Sequence, residues 1–122
     1  MPVNKLLLVD DERNSRLAVT EYLETRGFDV CAVADGEQAV AAGLRLAPSV
    51  LICDWLLPGE VSGLDVVSRL LAEFPSLVAL VITGLPVRVV AREAGDLPVA
   101  GILSKPASLT AIERTILDAL GD

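Results

Sequence analysis

Histidine is absent from this chain of 122 residues. That excludes Ser-His-Asp and Cys-His catalysis and histidine-built zinc sites, and it leaves oxygen ligands for hard cations. Aromatics are nearly missing: Trp55, Tyr22, Phe28 and Phe74 are all there are. The core must therefore be aliphatic. Lysine occurs only at Lys5 and Lys105, against eight arginines, and the net charge is −7 without a basic cluster. Phosphate backbones are bound through clustered Lys or Arg, so direct nucleic-acid binding is not expected. No apolar run approaches the ~20 residues of a membrane span, and Met1-Pro2-Val3-Asn4-Lys5 lacks a signal-peptide layout. The two cysteines, Cys31 and Cys53, stand in apolar β-like runs and read as buried thiols of a reducing, cytoplasmic compartment.

What is present is aliphatic and ordered. Hydrophobic residues make up 52% of the chain, which excludes disorder, and the length suits one domain, 1–122. Strand-like and helix-like segments alternate throughout. Strands are expected at Lys5–Val9, Phe28–Val33, Val50–Asp54, Leu77–Thr83 and Ala100–Ser104. Helices are expected at Asn14–Arg26 with Gly27 as its C′ residue, Glu37–Leu46, Leu64–Phe74, Pro86–Ala94 with Gly95 as a stop, and from an N-cap at Ser108 to Leu120. Val67, Leu70, Leu71 and Phe74 mark the buried face of the third helix; Leu109, Ile112, Ile116 and Leu120 mark that of the last. The fold class is α/β, a (βα)5 doubly wound parallel sheet.

Four of these apolar runs stop at residues able to handle phosphate or metal. They end in Asp10-Asp11, in Asp54, in Thr83 and in Lys105-Pro106. In an open parallel sheet the carboxyl ends of the strands share one edge, where ligands bind. Taken singly, each residue has a plain reading: a solvated acidic turn at Asp10-Asp11-Glu12, a helix cap at Asp54, a strand-end hydroxyl at Thr83, a surface ammonium at Lys105. Taken together they suit a divalent cation and a phosphoryl group. Mg²⁺ binds through one or two carboxylates, waters and phosphate oxygens. A carboxylate is a competent nucleophile toward phosphorus, and a lysine meets phosphate as a compact charge. Pro106 restricts Ser104-Lys105, and a cis Lys105–Pro106 bond is one way to aim that side chain.

These residues resemble the receiver domain of two-component response regulators, of the chemotaxis-regulator-like kind. The matching motifs are Leu8-Val9-Asp10-Asp11-Glu12, Cys53-Asp54-Trp55-Leu56-Leu57-Pro58, Ile82-Thr83-Gly84 and Ser104-Lys105-Pro106. The resemblance spans the whole chain and implies a flavodoxin-like sheet of strand order 2-1-3-4-5. It implies Asp54 as the phosphoacceptor and Asp10, Asp11, Asp54 and the Leu56 backbone carbonyl as Mg²⁺ ligands. Thr83 corresponds to the switch hydroxyl and Lys105 to the phosphate-binding lysine. The implied function is a phosphorylation-dependent switch of a phosphorelay, a phosphoprotein that catalyses only its own phosphorylation and dephosphorylation. The implied partner is a histidine kinase or histidine phosphotransfer protein, whether the receiver stands alone or belongs to a larger protein such as a hybrid histidine kinase.

Three departures from the family pattern stand out. Ile102 occupies a switch position that is often aromatic, Pro58 to Gly63 takes one residue more than usual, and Ala107 replaces a common aromatic after Lys105-Pro106. The longer segment predicts a bulged loop after Asp54. Leu56 and Leu85 are apolar at positions expected to tune phosphoryl lifetime, and shielding from water would make the phosphoryl form slow to decay. The departures also admit a degenerate receiver that serves as a phosphorylation-independent interaction module. A turnover phosphatase or phosphotransferase is disfavoured because Leu56 stands where such enzymes carry a second carboxylate. A flavin carrier is disfavoured because Asp10-Asp11-Glu12 would repel the flavin phosphate.

Overall fold

The computed structural model describes residues 4–121; Met1–Val3 and Asp122, the two ends of the expected 1–122 domain, lie outside the described residues. Among the described residues ten elements alternate: β1 Lys5–Val9, α1 Arg13–Thr25, β2 Asp29–Val33, α2 Gly36–Leu46, β3 Val50–Asp54, α3 Gly63–Glu73, β4 Val78–Thr83, α4 Val87–Ala94, β5 Gly101–Ser104 and α5 Leu109–Leu120. All strand pairings are parallel, and the sheet order is β2-β1-β3-β4-β5. Reversal of the strand order between β1 and β3 opens a crevice at their carboxyl ends. Asp10 and Asp54 stand there.

Side chains alternate across the sheet, and the two sets build two cores. Leu7, Val9, Leu51, Cys53, Ala79 and Val81 pack with residues of α2, α3 and α4. Leu6, Leu8, Val50, Ile52, Leu80 and Ile82 pack with Val19 and Leu23 of α1 and Ile112 and Ile116 of α5. Central strands covered on both faces must be apolar throughout; β3 is buried along its whole length. This placement holds Asp54 at the end of a rigid rod.

Several boundaries differ from expectation by one residue, each for a local reason. Helix α1 starts at Arg13 because Glu12 is its N-cap, accepting from Asn14 N and Ser15 N. Helix α3 starts at Gly63 and ends at Glu73, with Phe74 as a half-buried cap. Its start is held by reciprocal bonds between Ser62 and Asp65, a capping box. Those bonds hold the exposed Asp65 carboxyl below its usual range. Phe28, Leu77 and Ala100 precede their strands instead of opening them. Gly27 does follow the Arg26 cap with φ 94°, and Ser108 caps α5 by accepting from Ala111 N. On α5, Ile112 and Ile116 are buried, and Leu109 and Leu120 are half-buried at its ends.

Cys31 corrects one expectation. It is only partly buried, whereas Cys53 is fully so. The cause is topological: Cys31 lies on β2, an edge strand of the sheet.

Candidate functional site

Asp10 follows β1 directly. Its backbone N–H donates to Val33 O at 3.1 Å, which extends the β1–β2 ladder by one step. Its carboxylate accepts from Glu12 N at 2.9 Å, and its carbonyl accepts from the Arg16 guanidinium at 2.8 Å. Asp10 is thus held at both its carboxylate and its main chain. Asp54 closes β3, and the next residue returns to the sheet through Trp55 N to Ile82 O, 3.0 Å. Asp10 and Asp54 are each about 4% exposed, which is rare for carboxylates without partners. One carboxylate oxygen from each of Asp10, Asp11 and Asp54 lies within 4.8 Å of the others. Asp11 is the exposed member of the three.

Lys105 reaches the cluster from the end of β5. Its Nζ stands 3.0 Å from Asp54 Oδ2. Its backbone N–H donates to Thr83 O at 2.8 Å, and the Lys105–Pro106 bond is cis. Burial pushes the Asp54 carboxyl up to about 7; Lys105 opposes that rise and the neighbouring Asp10 adds to it. Burial works against the Lys105 ammonium, yet the bond to Asp54 and the pull of Asp54, Asp10 and Asp11 outweigh it and raise its pKa. The neighbouring Cys53 thiol is pushed far up by burial first and by Asp54 second, so it is inert as a thiolate.

Thr83 is 1% exposed at the end of β4. Its register partner on β5 is Ser104, while Asp54 pairs with Ile82. The Thr83 Oγ1 accepts from Leu85 N at 2.9 Å, which leaves its own proton free to donate. Leu85 and Ile102 are half-buried against the core under α2, α3 and α4. Leu56 is 62% exposed. Neither Leu56 nor Leu85 lines the cavity of about 420 Å³ that opens beside Asp54 and Lys105.

The loop after β3 is shaped by glycine. Gly59 takes a φ of 88°, a region closed to most side chains. Gly63 donates to Trp55 O at 3.2 Å, and a Cβ there would stand 2.5 Å from both Asp54 O and Trp55 O. Only glycine lets the start of α3 approach the strand end so closely.

Four contributors were not apparent in the sequence. Glu12 caps α1 and so is committed to the helix; its position just before a helical run was the available signal. Arg16 holds the Asp10 carbonyl, Gly63 clears the strand end, and Glu93 accepts from Trp55 Nε1 at 2.6 Å. Nothing local marked these three, because each acts on residues in another element.

The arrangement fits a hard divalent cation. Three carboxylate oxygens converge, two from buried residues that lack enough cationic partners, and neither histidine nor thiolate competes. Beside them Lys105 touches the Asp54 carboxylate. The site can therefore gather a cation and an anion around one nucleophilic oxygen.

Comparison with known proteins agrees with this geometry. The chain is 30% identical over 115 residues to a cyclic di-GMP phosphodiesterase of Thermotoga maritima, covering 94% of this chain and 30% of that protein. It is 38% identical over 78 residues to the probable transcriptional regulatory protein TcrX of Mycobacterium tuberculosis, covering 64% of this chain and 33% of that one. The chain thus spans about a third of the length of these curated relatives. Among solved structures, a response regulator receiver domain protein from Clostridium thermocellum superposes with a TM-score of 0.89 at 21% identity, covering 98% and 95% of the two chains. The chemotaxis response regulator CheY4 of Vibrio cholerae superposes with a TM-score of 0.86 at 25% identity, covering 97% and 99%. Among the described residues no helix is long and apolar enough to cross a membrane. The family model for the response regulator receiver domain matches residues 6–117, and the chain belongs to that family of two-component signalling domains.

Proposed function

We propose that this receiver is a phosphorylation-dependent switch of a cytoplasmic phosphorelay, accepting a phosphoryl group on Asp54 from a phosphohistidine of a histidine kinase or histidine phosphotransfer protein. The observation that carries the reading is the 3.0 Å contact of Lys105 Nζ with Asp54 Oδ2 at the rim of the three-carboxylate cluster. Asp10, Asp11, Asp54 and the Leu56 carbonyl would hold Mg²⁺. When bound, a divalent cation keeps Asp54 ionised and offsets the charge of phosphoryl oxygens.

Asp54 attacks phosphorus through a carboxylate oxygen, and the bond to the donor nitrogen breaks. Lys105 then exchanges its carboxylate partner for a phosphoryl oxygen. Thr83 has a hydroxyl proton to give to the same group. A phosphoryl group of about −1.5 to −2 charge supplies the few kcal/mol that swing a balanced two-state element. Trp55 extends the response: it follows Asp54 in the chain, is buried, and donates to Glu93 on α4. With Ile102 in place of an aromatic, the rearrangement proceeds by aliphatic repacking. The chain carries out only its own phosphorylation and dephosphorylation, with no turnover of a separate substrate. The whole domain, 1–122, acts as one unit without binding nucleic acid itself.

Trp55 emission is the direct test. Titration with Mg²⁺, and then beryllofluoride in its presence, is expected to change the emission saturably. An unchanged spectrum at millimolar Mg²⁺, with and without beryllofluoride, would sink the cation and phosphoryl reading together.

Leu56 bears on lifetime. Leu56 follows Asp54 by two residues and is 62% exposed, so a polar side chain at that position could recruit water to the acyl phosphate. Leu56→Asn is expected to speed loss of the acyl phosphate several-fold, measured as decay of labelled protein after donor removal. Equal decay of variant and parent removes Leu56 from the lifetime assignment.

A further inference from the structure

Helix α4 is held more lightly than its neighbours. It has eight residues, of which only Val90 and Ala94 are buried, and its N-cap, Pro86, gives it no side-chain bond. The other four helices each start on a side-chain cap. Two hydrogen bonds tie α4, and the segment leading into it, to residues beside the phosphoacceptor. Ahead of the helix, Thr83 Oγ1 accepts from Leu85 N at 2.9 Å. Near its end, Glu93 Oε1 accepts from Trp55 Nε1 at 2.6 Å. Thr83 closes β4, and Trp55 follows Asp54 directly. Trp55 is the fixed member of its pair. It is buried in one core with Val90 and Ala94, its backbone N–H donates to Ile82 O at 3.0 Å, and its carbonyl accepts from Gly63 N at 3.2 Å. Glu93 is exposed, and among the described residues it forms no ion pair. Its bond to Trp55 is therefore what orients its carboxylate.

We propose that Glu93 is a positioning residue: it latches α4 to Trp55 in the unphosphorylated chain and so sets how tightly the Asp54 site holds a phosphoryl group. The inference rests on the receiver reading above and adds to it the residue that opposes the switch. A phosphoryl group on Asp54 draws the Thr83 hydroxyl, and an oxygen turned that way leaves Leu85 N. The lead into α4 is then freed, while the far end of the helix stays on Trp55. That bond is charge-assisted, and such bonds are about twice as strong as neutral ones. Its loss is charged to any arrangement that carries Glu93 away from a ring pinned to β4 and α3. A contact made in only one of two arrangements weakens every ligand that needs the other one. Glu93 acts through Trp55 alone, so its influence passes through one donor that can be removed.

The test is beryllofluoride binding to the full chain in MgCl₂, measured by calorimetry. A hydrogen bond to a charged group shifts an equilibrium by about tenfold or more, so Glu93→Ala is expected to bind beryllofluoride about tenfold more tightly than the parent. Glu93→Gln loses the same charge but keeps an acceptor for Trp55 Nε1, and it is expected to stay within about threefold of the parent. In a Trp55→Phe background, which has no donor, Glu93→Ala is expected to change the affinity by less than about twofold. Position 93 is exposed, so both Glu93 substitutions leave the two cores intact. If Trp55→Phe does not fold, the contrast between Glu93→Ala and Glu93→Gln decides the question by itself. A Glu93→Ala affinity within twofold of the parent's, or weaker, overturns the latch. A gain in Glu93→Gln equal to that in Glu93→Ala overturns the hydrogen bond as its cause, and so does a gain that persists in the Trp55→Phe background. No binding by the parent or any variant would instead sink the receiver reading, whereas equal binding by all of them sinks only the latch.

Discussion

Asp54→Asn is expected to incorporate no acid-labile phosphate from acetyl phosphate and Mg²⁺ above background, while the parent is labelled stoichiometrically. The amide keeps the shape and the hydrogen-bonding reach of the side chain but is a poor nucleophile toward phosphorus. Nothing else at the rim replaces it. Asp10 is oriented by its bonds to Glu12 N and Arg16, and Lys105 touches Asp54 rather than Asp10. The loss should therefore be complete, not partial. Incorporation into the variant equal to the parent's would end the Asp54 assignment, and residual labelling mapped to Asp10 would move it by one strand.

The same variant carries a second large effect, on stability. Burial raises the Asp54 carboxyl from an ordinary value near 3.8 up to about 7 in the metal-free protein. Between those values the folded state binds more protons than the unfolded state, so stability falls as pH rises through the window. The full shift corresponds to about 4 kcal/mol at 1.36 kcal/mol per unit. Because the group borders an open cavity, solvent screening reduces this to about 2 kcal/mol. Asp54→Asn removes the titration. In metal-free urea denaturation the variant is expected to exceed the parent by about 2 kcal/mol at pH 8 and to match it near pH 4. Mg²⁺ should close most of the gap at pH 8 by stabilising the parent. A difference between variant and parent that is constant from pH 4 to 8 would show that Asp54 titrates normally.

The two effects oppose each other, and their opposition is the logic of the site. A carboxylate that is costly to ionise in a buried setting is kept reactive by neighbours that favour its charged form. Lys105 does this from within the chain, whereas the carboxylate of Asp10 acts in reverse. Functional sites commonly hold such destabilising arrangements, while the rest of the fold compensates. Here the compensation is visible in two dense aliphatic cores on either face of the sheet.

Much of this was legible in the residues. Strand ends at Asp54, Thr83 and Ser104 were set by the change from aliphatic to polar side chains, and all three boundaries match. Burial on both faces demands a continuous apolar run, so the run's end is the strand's end. The shared edge predicts convergence of Asp10, Asp54 and Lys105; Lys105 Nζ stands 3.0 Å from Asp54 Oδ2, and carboxylate oxygens of Asp10 and Asp54 lie within 4.8 Å of each other. Starts of elements were read less well. Phe28, Leu77 and Ala100 are as apolar as the strands they precede, so composition carried no boundary there. The burial of Cys31 was overestimated because hydropathy does not distinguish an edge strand from a central one.

By itself, then, the sequence determined the alternation of elements, the polar residues closing β3, β4 and β5, and the exclusion of histidine from any metal site. These depend on periodicity and residue type over a few positions. Only the tertiary structure decided the raised pKa of Asp54, the Trp55–Glu93 bond, the clearance at Gly63 and the cavity beside Asp54 and Lys105. Each of those is a property of space between elements far apart in the chain, where desolvation and contact are set by what packs nearby and not by the neighbours in sequence.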